Sequence, residues 1–306
     1  MPSAIETENL TKKFNSLAAV NKLNLRVGEN DIFGFLGPNG AGKTTTIRMM
    51  MGFIKPTGGN VKIFGEPLEN GKEARMKIGF LPEQYQLYEV MSGYENLDFF
   101  ARLYGIKDRG ERIKDLFSLV GLEGEEEKRV RNYSHGMKQR LGIAQAVIND
   151  PKLLILDEPT MGLDPRGSRD IRDLLKSLGK RKVTIFLSSH LLYEVQEICN
   201  RVGIINKGRL LEVDTITNLK KMVGGVGSIL EVELLKVNDK MVGELKKMGG
   251  VTSVKAEGNV LKIGVESFDL APEINSKIVS MGGRVKRMSE VSPDLEEIFL
   301  KITEGG

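Results

Sequence analysis

The sequence predicts an α/β domain with a substantially parallel sheet and a helical insertion, followed by a small α+β module. Three observations carry this. Short apolar runs (DIFGFL, Asp31–Leu36; Leu153–Leu156; Val183–Ser188; Val202–Asn206) alternate with stretches of helical period, the pattern of strands buried on both faces. Between about Tyr94 and Leu122 the alternation gives way to YENLDFFARLYG and ERIKDLFSLVGL, with apolar residues three and four apart. Beyond VGGVGS, Val223–Ser228, the order becomes strand–helix–strand–strand–helix–strand, that of a split ferredoxin-like module.

Each element has a local reason. Ala4–Glu8 and Ala18–Val27 alternate polar and apolar residues and read as strands, as do Val61–Phe64 and Ile78–Leu81. A glycine-rich turn follows Leu36 and leads into a helix over Lys43–Met51. EGEEEKR, Glu123–Arg129, is a solvated connector. Ser134 is placed as the N-cap of a helix reaching about Ile148, and Pro151 stops it. Ser168–Leu178 and Leu191–Cys199 are further helices. In the C-terminal part Ile229–Leu235, Thr252–Ala256, Leu261–Val265 and Arg284–Met288 read as strands. Lys240–Met248, Ala271–Met281 and a last segment, Asp294–Ile302, read as helices. Met-Gly-Gly stands between helix and strand twice, which suggests a weak internal duplication. The expected domains are residues 1–222, with the helical part at about 85–150, and residues 228–306.

Composition narrows the function classes. The net charge of +4 over 306 residues is too small an excess to indicate nucleic-acid binding. The one cysteine, Cys199, excludes an internal disulfide and a cysteine-rich zinc site and fits a reducing compartment. No stretch approaches the roughly 18 apolar residues of a membrane helix. The acidic, polar N-terminus does not read as a secretory signal. The C-terminal module has no cluster of His, Cys or paired carboxylates and reads as a packing or dimerisation unit.

Two motifs point to phosphate chemistry. GPNGAGKT, Gly37–Thr44, fits G-x-x-x-x-G-K-[ST] between an apolar strand and a helix. Its glycines (Gly37, Gly40, Gly42), with Pro38, Asn39, Ala41 and Thr45, shape a loop whose N–H groups face phosphate oxygens at a helix start. Lys43 is placed to reach the β- and γ-phosphates of ATP and Thr44 to bind Mg²⁺. LLILDEPT, Leu153–Thr160, sets two carboxylates at the C-terminal end of a buried strand, where sheet ligands bind. Asp157 suits Mg²⁺ and Glu158 suits orienting an attacking water; both need a cation or proton beside them.

With these motifs in order, the chain resembles the ATP-binding subunits of ABC transporters over about Ile5 to Leu219. NYSHGMKQR takes the place of the family's signature, usually Leu-Ser-Gly-Gly-Gln, and MGLDP, Met161–Pro165, matches the loop between subunits, with Asp164. LSSH, Leu187–His190, matches the switch strand, so His190 falls at the γ-phosphate histidine, and Phe14 falls where an aromatic ring stacks on adenine. The resemblance implies a homodimer, or a dimer with a paralogous ATPase, formed head to tail on ATP binding. Ser134 and Gly136 of one copy then face the nucleotide held by the other. It also implies a separate transmembrane permease subunit and a peripheral position on the cytoplasmic side of the membrane. The wording of the motifs and the C-terminal appendage resemble the drug and antibiotic exporter branch.

Departures from the family form bear on particular residues. His135 stands at the signature's first glycine, either pointing outward or reaching the opposing nucleotide, and Met137 stands at its glutamine. The family's Mg²⁺- and water-contacting glutamine falls on Glu83, with Gln84 next, so both are candidates. Tyr85, Leu87 and Tyr88 follow, where the family receives the permease's coupling helix. The competing classes are a soluble ABC-type ATPase acting on ribosomes or DNA and a regulatory nucleotide switch.

Overall fold

The computed structural model describes residues 2–68, 72–223 and 228–291, together with Phe299. The chain divides into two compact units, Met1–Asp214 and Thr215–Gly306. That division precedes the end expected at 222, because residues 216–223 form a helix that goes with the second unit. Residues 224–227 of the linker and, Phe299 excepted, the last helix expected at Asp294–Ile302 lie outside the described residues.

The first unit contains two sheets. Strands β1 (Ser3–Phe14) and β2 (Leu17–Gly28) form a long antiparallel pair. The next strand, β3 (Ile32–Leu36), is almost wholly buried and leads through the glycine-rich turn into helix α1 (Lys43–Met50). Strands β4 (Gly58–Ile63) and β5 (Glu66–Pro67) extend the first sheet to the order β2-β1-β4-β5. A short helix α2 (Lys72–Met76) precedes β6 (Ile78–Leu81).

The helical insertion follows as α3 (Gly93–Leu103), α4 (Arg109–Leu119) and α5 (His135–Ala146). Ser92 and Glu95 close a capping box at the start of α3. The charged connector is more than a solvated loop. Its carbonyls at Glu126 and Lys128 accept from the N–H groups of Tyr94 and Gly93, satisfying donors the first turn of α3 leaves free. Arg112 does the converse for α5, donating to the carbonyls of Val147 and Ile148 at its C-terminal end.

The rest of the unit completes a six-stranded sheet, ordered β10-β9-β3-β8-β7-β6. Its remaining strands are β7 (Leu153–Asp157), β8 (Thr184–Ser189), β9 (Arg201–Asn206) and β10 (Arg209–Thr215). Helices α6 (Pro165–Lys180) and α7 (Leu192–Ile198) lie between them in sequence. The central strands β6, β7, β8, β3 and β9 pair in parallel, as the unbroken apolar runs predict. Phe33, Phe35 and Phe186 fill the core beside Leu153 and Ile155, with the Phe33 and Phe186 rings stacked 5.7 Å apart. Helix α6 starts at Pro165, before the expected Ser168, because Asp164 caps it: its Oδ1 accepts from the Gly167 N–H at 2.7 Å.

The second unit begins with helix α8 (Ile216–Val223) and is built around a four-stranded antiparallel sheet. Strand β11 (Ser228–Leu234) leads to helix α9 (Asp239–Leu245), strands β12 (Val251–Glu257) and β13 (Val260–Val265), helix α10 (Ala271–Ser280) and strand β14 (Val285–Val291). The sheet order is β12-β13-β11-β14. Leu230, Val232, Leu261 and Ile263 pack with Leu245, Ile274 and Ile278 in one cluster. The two Met-Gly-Gly turns do not share a conformation. Positive φ falls on the second glycine of one, Gly250 (79°), and on the first of the other, Gly282 (81°).

Candidate active site

Sheet register assembles the site. The neighbouring strands β3, β8 and β7 end at Leu36, Ser189 and Asp157. Leu36 lies beside Ser189, and Asp157 beside Ser188. The residues that immediately follow, Gly37, His190 and Glu158, therefore reach one edge of the sheet. A cleft of about 510 Å³ opens there, lined by the loop from Pro38 to Thr45 together with Ala19, Glu83, Glu158, Met161 and His190.

The loop's glycines are required by geometry at two points. A Cβ on Gly37 would lie 2.4 Å from the Ile205 carbonyl oxygen. Gly42 has φ +107°, and a Cβ there would lie 2.5 Å from the Ala19 carbonyl oxygen. Both positions clamp the loop against neighbouring backbone at the start of α1, whose first-turn N–H groups have no intrahelical acceptor, while the Gly37 and Ala41 N–H groups donate to the Ser189 and Pro38 carbonyls.

The charged groups form a compact chain. Lys43 Nζ donates to the Gly37 carbonyl at 2.7 Å and lies 3.1 Å from Glu158 Oε1. Glu158 Oε2 is 2.9 Å from His190 Nδ1. Lys43 and Glu158 are both buried, while His190 is one-third exposed to the cleft. Asp157 sits deeper. Its Oδ1 accepts from Ser188 Oγ at 2.5 Å, and the same Ser188 oxygen accepts from the Glu158 N–H at 3.0 Å. Burial pushes the Asp157 carboxyl above the usual carboxylate range, opposed by hydrogen bonds from Ser188 and Thr44. A Thr44 hydroxyl and an Asp157 carboxylate are hard oxygen donors. They fit a Mg²⁺ ion held mainly by substrate phosphates rather than by a protein cage. Among the described residues no group of three or more His, Cys, Asp or Glu is placed to hold a metal.

The other sequence-predicted residues distribute as follows. Glu83 lines the cleft and Gln84 does not; both line a neighbouring hollow of about 710 Å³ beside the start of α5. Phe14 is half exposed at the end of β1, with Lys12 Nζ 5.2 Å from its ring centroid, and is not among the cleft-lining residues. Ser134, Gly136 and Asp164 are not among the cleft-lining residues either. Ser134 is the N-cap expected, its Oγ accepting from the Met137 N–H at 3.2 Å. His135 turns toward its own chain, with Nε2 3.2 Å from the Met161 carbonyl oxygen.

Sequence reasoning missed Ser188, which holds Asp157 and Glu158 together, although a serine inside a fully buried strand was a signal. It also missed Glu194, which hydrogen-bonds Thr160 from helix α7 while 2% exposed. An acidic residue sharing the buried stripe with Ile198, four positions on, was the available sign.

A glycine-clamped phosphate loop, a buried lysine and paired carboxylates at the end of a parallel sheet define the class of P-loop ATPases. Residues 20–161 match the ABC transporter family, and residues 215–303 match the C-terminal domain of DrrA1-3-like ATP-binding proteins. The chain is 40% identical to the bacitracin transport ATP-binding protein BcrA of Bacillus licheniformis, across 100% of this chain and 99% of that protein. It is 30% identical to the linearmycin resistance ATP-binding protein LnrL of Bacillus subtilis, across 98% of each. Among solved structures, cbiO1 from Clostridium perfringens, part of the ABC transporter complex cbiONQ, is similar with a TM-score of 0.66. The two are 26% identical, over 74% of this chain and 95% of that one. The protein belongs to the ATP-binding subunits of ABC transporters, and it hydrolyses ATP to drive transport. Among the described residues no helix is long and apolar enough to cross a membrane.

Proposed function

We propose that this chain powers an exporter of antimicrobial compounds, working at the cytoplasmic face of a separate transmembrane permease. The chemical class comes from the two relatives, whose names refer to bacitracin and linearmycin and whose likeness runs through the C-terminal domain as well. The strand–helix–strand–strand–helix–strand order and the sheet order β12-β13-β11-β14 support a ferredoxin-like topology for that domain.

The observation that carries the hydrolytic reading is the position of Glu158, between Lys43 Nζ and His190 Nδ1 at the mouth of the phosphate loop. The loop N–H groups of Asn39, Gly40 and Gly42 to Thr45, with Lys43, bind the β- and γ-phosphates. Thr44 and Asp157 are the groups that would hold Mg²⁺, whose charge, when bound, offsets that of the phosphates. Glu158 takes the water's proton as its oxygen attacks the γ-phosphorus in line, the bond from that phosphorus to the β,γ-bridging oxygen breaks and ADP leaves with the electron pair, and His190 donates to the γ-phosphate. Of the two candidates for the Mg²⁺ and water contact, Glu83 is favoured because it lines the cleft. Phe14 offers its exposed ring to the adenine. In a head-to-tail dimer, Ser134, Gly136 and the start of α5 complete the anion site of the other copy, with Asp164 in the loop between them.

Gly136 separates this dimer role from folding. Within its own chain a Cβ would meet only Leu163, at 3.8 Å, an ordinary contact. Gly136→Asp is therefore expected to leave thermal stability unchanged or slightly higher, since a carboxylate in the first helical turn is favourable. It should abolish the ATP-dependent dimer seen by light scattering. A mutant that still dimerises with ATP would remove this helix start from the partner's site.

The permease face is supported by exposed apolar side chains on the helical insertion. The Tyr88 and Phe99 rings meet at 5.2 Å, and Val90 and Leu103 are 73% and 68% exposed. Purified from solubilised membranes of its host, the chain is expected to bring down a polytopic membrane protein, and Phe99→Asp should prevent this without altering ATP affinity. Undiminished capture by that variant would place the docking surface elsewhere.

A further inference from the structure

Glu158 holds a backbone conformation that side chains resist: its φ is +51°, in the left-handed region. Such a residue persists where its surroundings over-determine it. Three contacts do so here. Ser188 accepts from its N–H, and Glu194 hydrogen-bonds the Thr160 hydroxyl. Between them, the Pro159 carbonyl accepts from Gln139 Nε2 at 2.6 Å in a buried hydrogen bond. Proline has no N–H, so that carbonyl is the polar backbone group by which the residue after Glu158 can be gripped.

Gln139 is itself fixed. Its Oε1 accepts from the Tyr85 hydroxyl at 3.0 Å, so the amide's acceptor and donor ends are both engaged and its orientation is set. Tyr85 lies in the segment between β6 and α3 that also carries Glu83. Burial pushes the Tyr85 hydroxyl's pKa up, which keeps it a donor across the working pH range. The ring fits against α5 because residue 142 is glycine: a Cβ there would lie 3.0 Å from Tyr85 Cε2 and 2.9 Å from Leu81 Cδ1. Glycine is a poor residue for a helix interior, and here it makes room for this ring. An apolar side chain in place of Gln139 would fill the space yet leave a buried carbonyl and a hydroxyl without partners.

We propose that Gln139 and Tyr85 are positioning residues for hydrolysis. They form a relay from the segment 82–88, through helix α5, to the backbone that carries Glu158. A displacement of that segment then reaches Glu158 through one amide group. The inference rests on the reading of Glu158 as the water-orienting residue.

The test compares Tyr85→Phe, Gln139→Leu and the double variant in the full-length chain, measuring kcat, KM for ATP and thermal midpoint. Gln139→Leu is expected to lower kcat about tenfold with KM unchanged within about twofold, the signature of an interaction used in the chemical step. Tyr85→Phe, which keeps the ring, should lower kcat about threefold. The double variant should be no slower than Gln139→Leu, because Tyr85 acts through Gln139. Wild-type kcat in Gln139→Leu, or effects that multiply in the double variant, would overturn the relay. Should Gln139→Leu not fold, Gln139→Glu carries the same test, since it keeps the acceptor for Tyr85 and loses the donor to Pro159. Full turnover in that variant overturns the proposal. Glu158→Gln, run in parallel, separates the two readings. If it stays active, the role of Glu158 is wrong; if it is inactive while the Gln139 variants turn over at the wild-type rate, the relay is wrong.

Discussion

Replacing Glu158 by Gln is expected to lower ATP turnover by about 10²- to 10⁴-fold, the range for loss of a positioned proton acceptor. ATP affinity should be equal to or above that of the wild type. Glutamine keeps the size and one oxygen of the side chain and loses its charge and basicity. That charge lies 3.1 Å from Lys43 Nζ and competes with phosphate for the same ammonium group. The carboxylate also repels the incoming γ-phosphate. Both effects oppose binding in the wild type and vanish in the variant, so bound ATP and the head-to-tail dimer should accumulate. Rapid-quench turnover and gel filtration with ATP check this. Turnover within threefold of the wild type would remove Glu158 from the chemistry.

Lys43→Ala is expected to act in the opposite direction on affinity. The lysine is nearly buried, and its removal leaves Asp157 and Glu158 as neighbouring carboxylates without their shared cation. It also deletes a charge-assisted hydrogen bond to phosphate. Together these should weaken ATP binding by about 100-fold, on the order of 3 kcal/mol, with hydrolysis lost. Equilibrium binding of a fluorescent ATP analogue reads the first effect directly. Affinity within twofold of the wild type would show that Lys43 serves only its carbonyl and carboxylate contacts. The contrast between the two variants is itself diagnostic, because a lysine for which a glutamate and phosphate compete predicts opposite signs for the two residues.

The site's pieces were differently legible. The phosphate loop and the carboxylates stood out because each lies within one contiguous strand and the turn after it, so spacing along the chain equals spacing in space. Gly42 is a case where the residue type alone announces the backbone, since φ +107° suits little else. The start of α6 was readable too, from Asp164 and Pro165 as cap and first helical residue, yet the apolar period drew the boundary later. In the second unit the repeated Met-Gly-Gly suggested a duplication that the two turns do not share, since the left-handed glycine is Gly250 in one and Gly282 in the other.

By itself, the sequence determined the parallel α/β core, the helical insertion, the separate C-terminal unit and the position of Lys43, Asp157 and Glu158 at strand ends and the turns after them, whereas His190 was singled out by the family resemblance. Local patterns suffice for all but His190, since apolar period and turn chemistry act over a few residues. Only the tertiary structure decided that Glu83 rather than Gln84 faces the cleft and that His135 turns to Met161. It alone joined Tyr85 to Gln139 across 54 residues and Thr160 to Glu194 across 34. Those pairings are made by buried polar groups, each of which needs a partner and takes the one that packing brings within reach. Nothing in the spacing of the chain says which one that is.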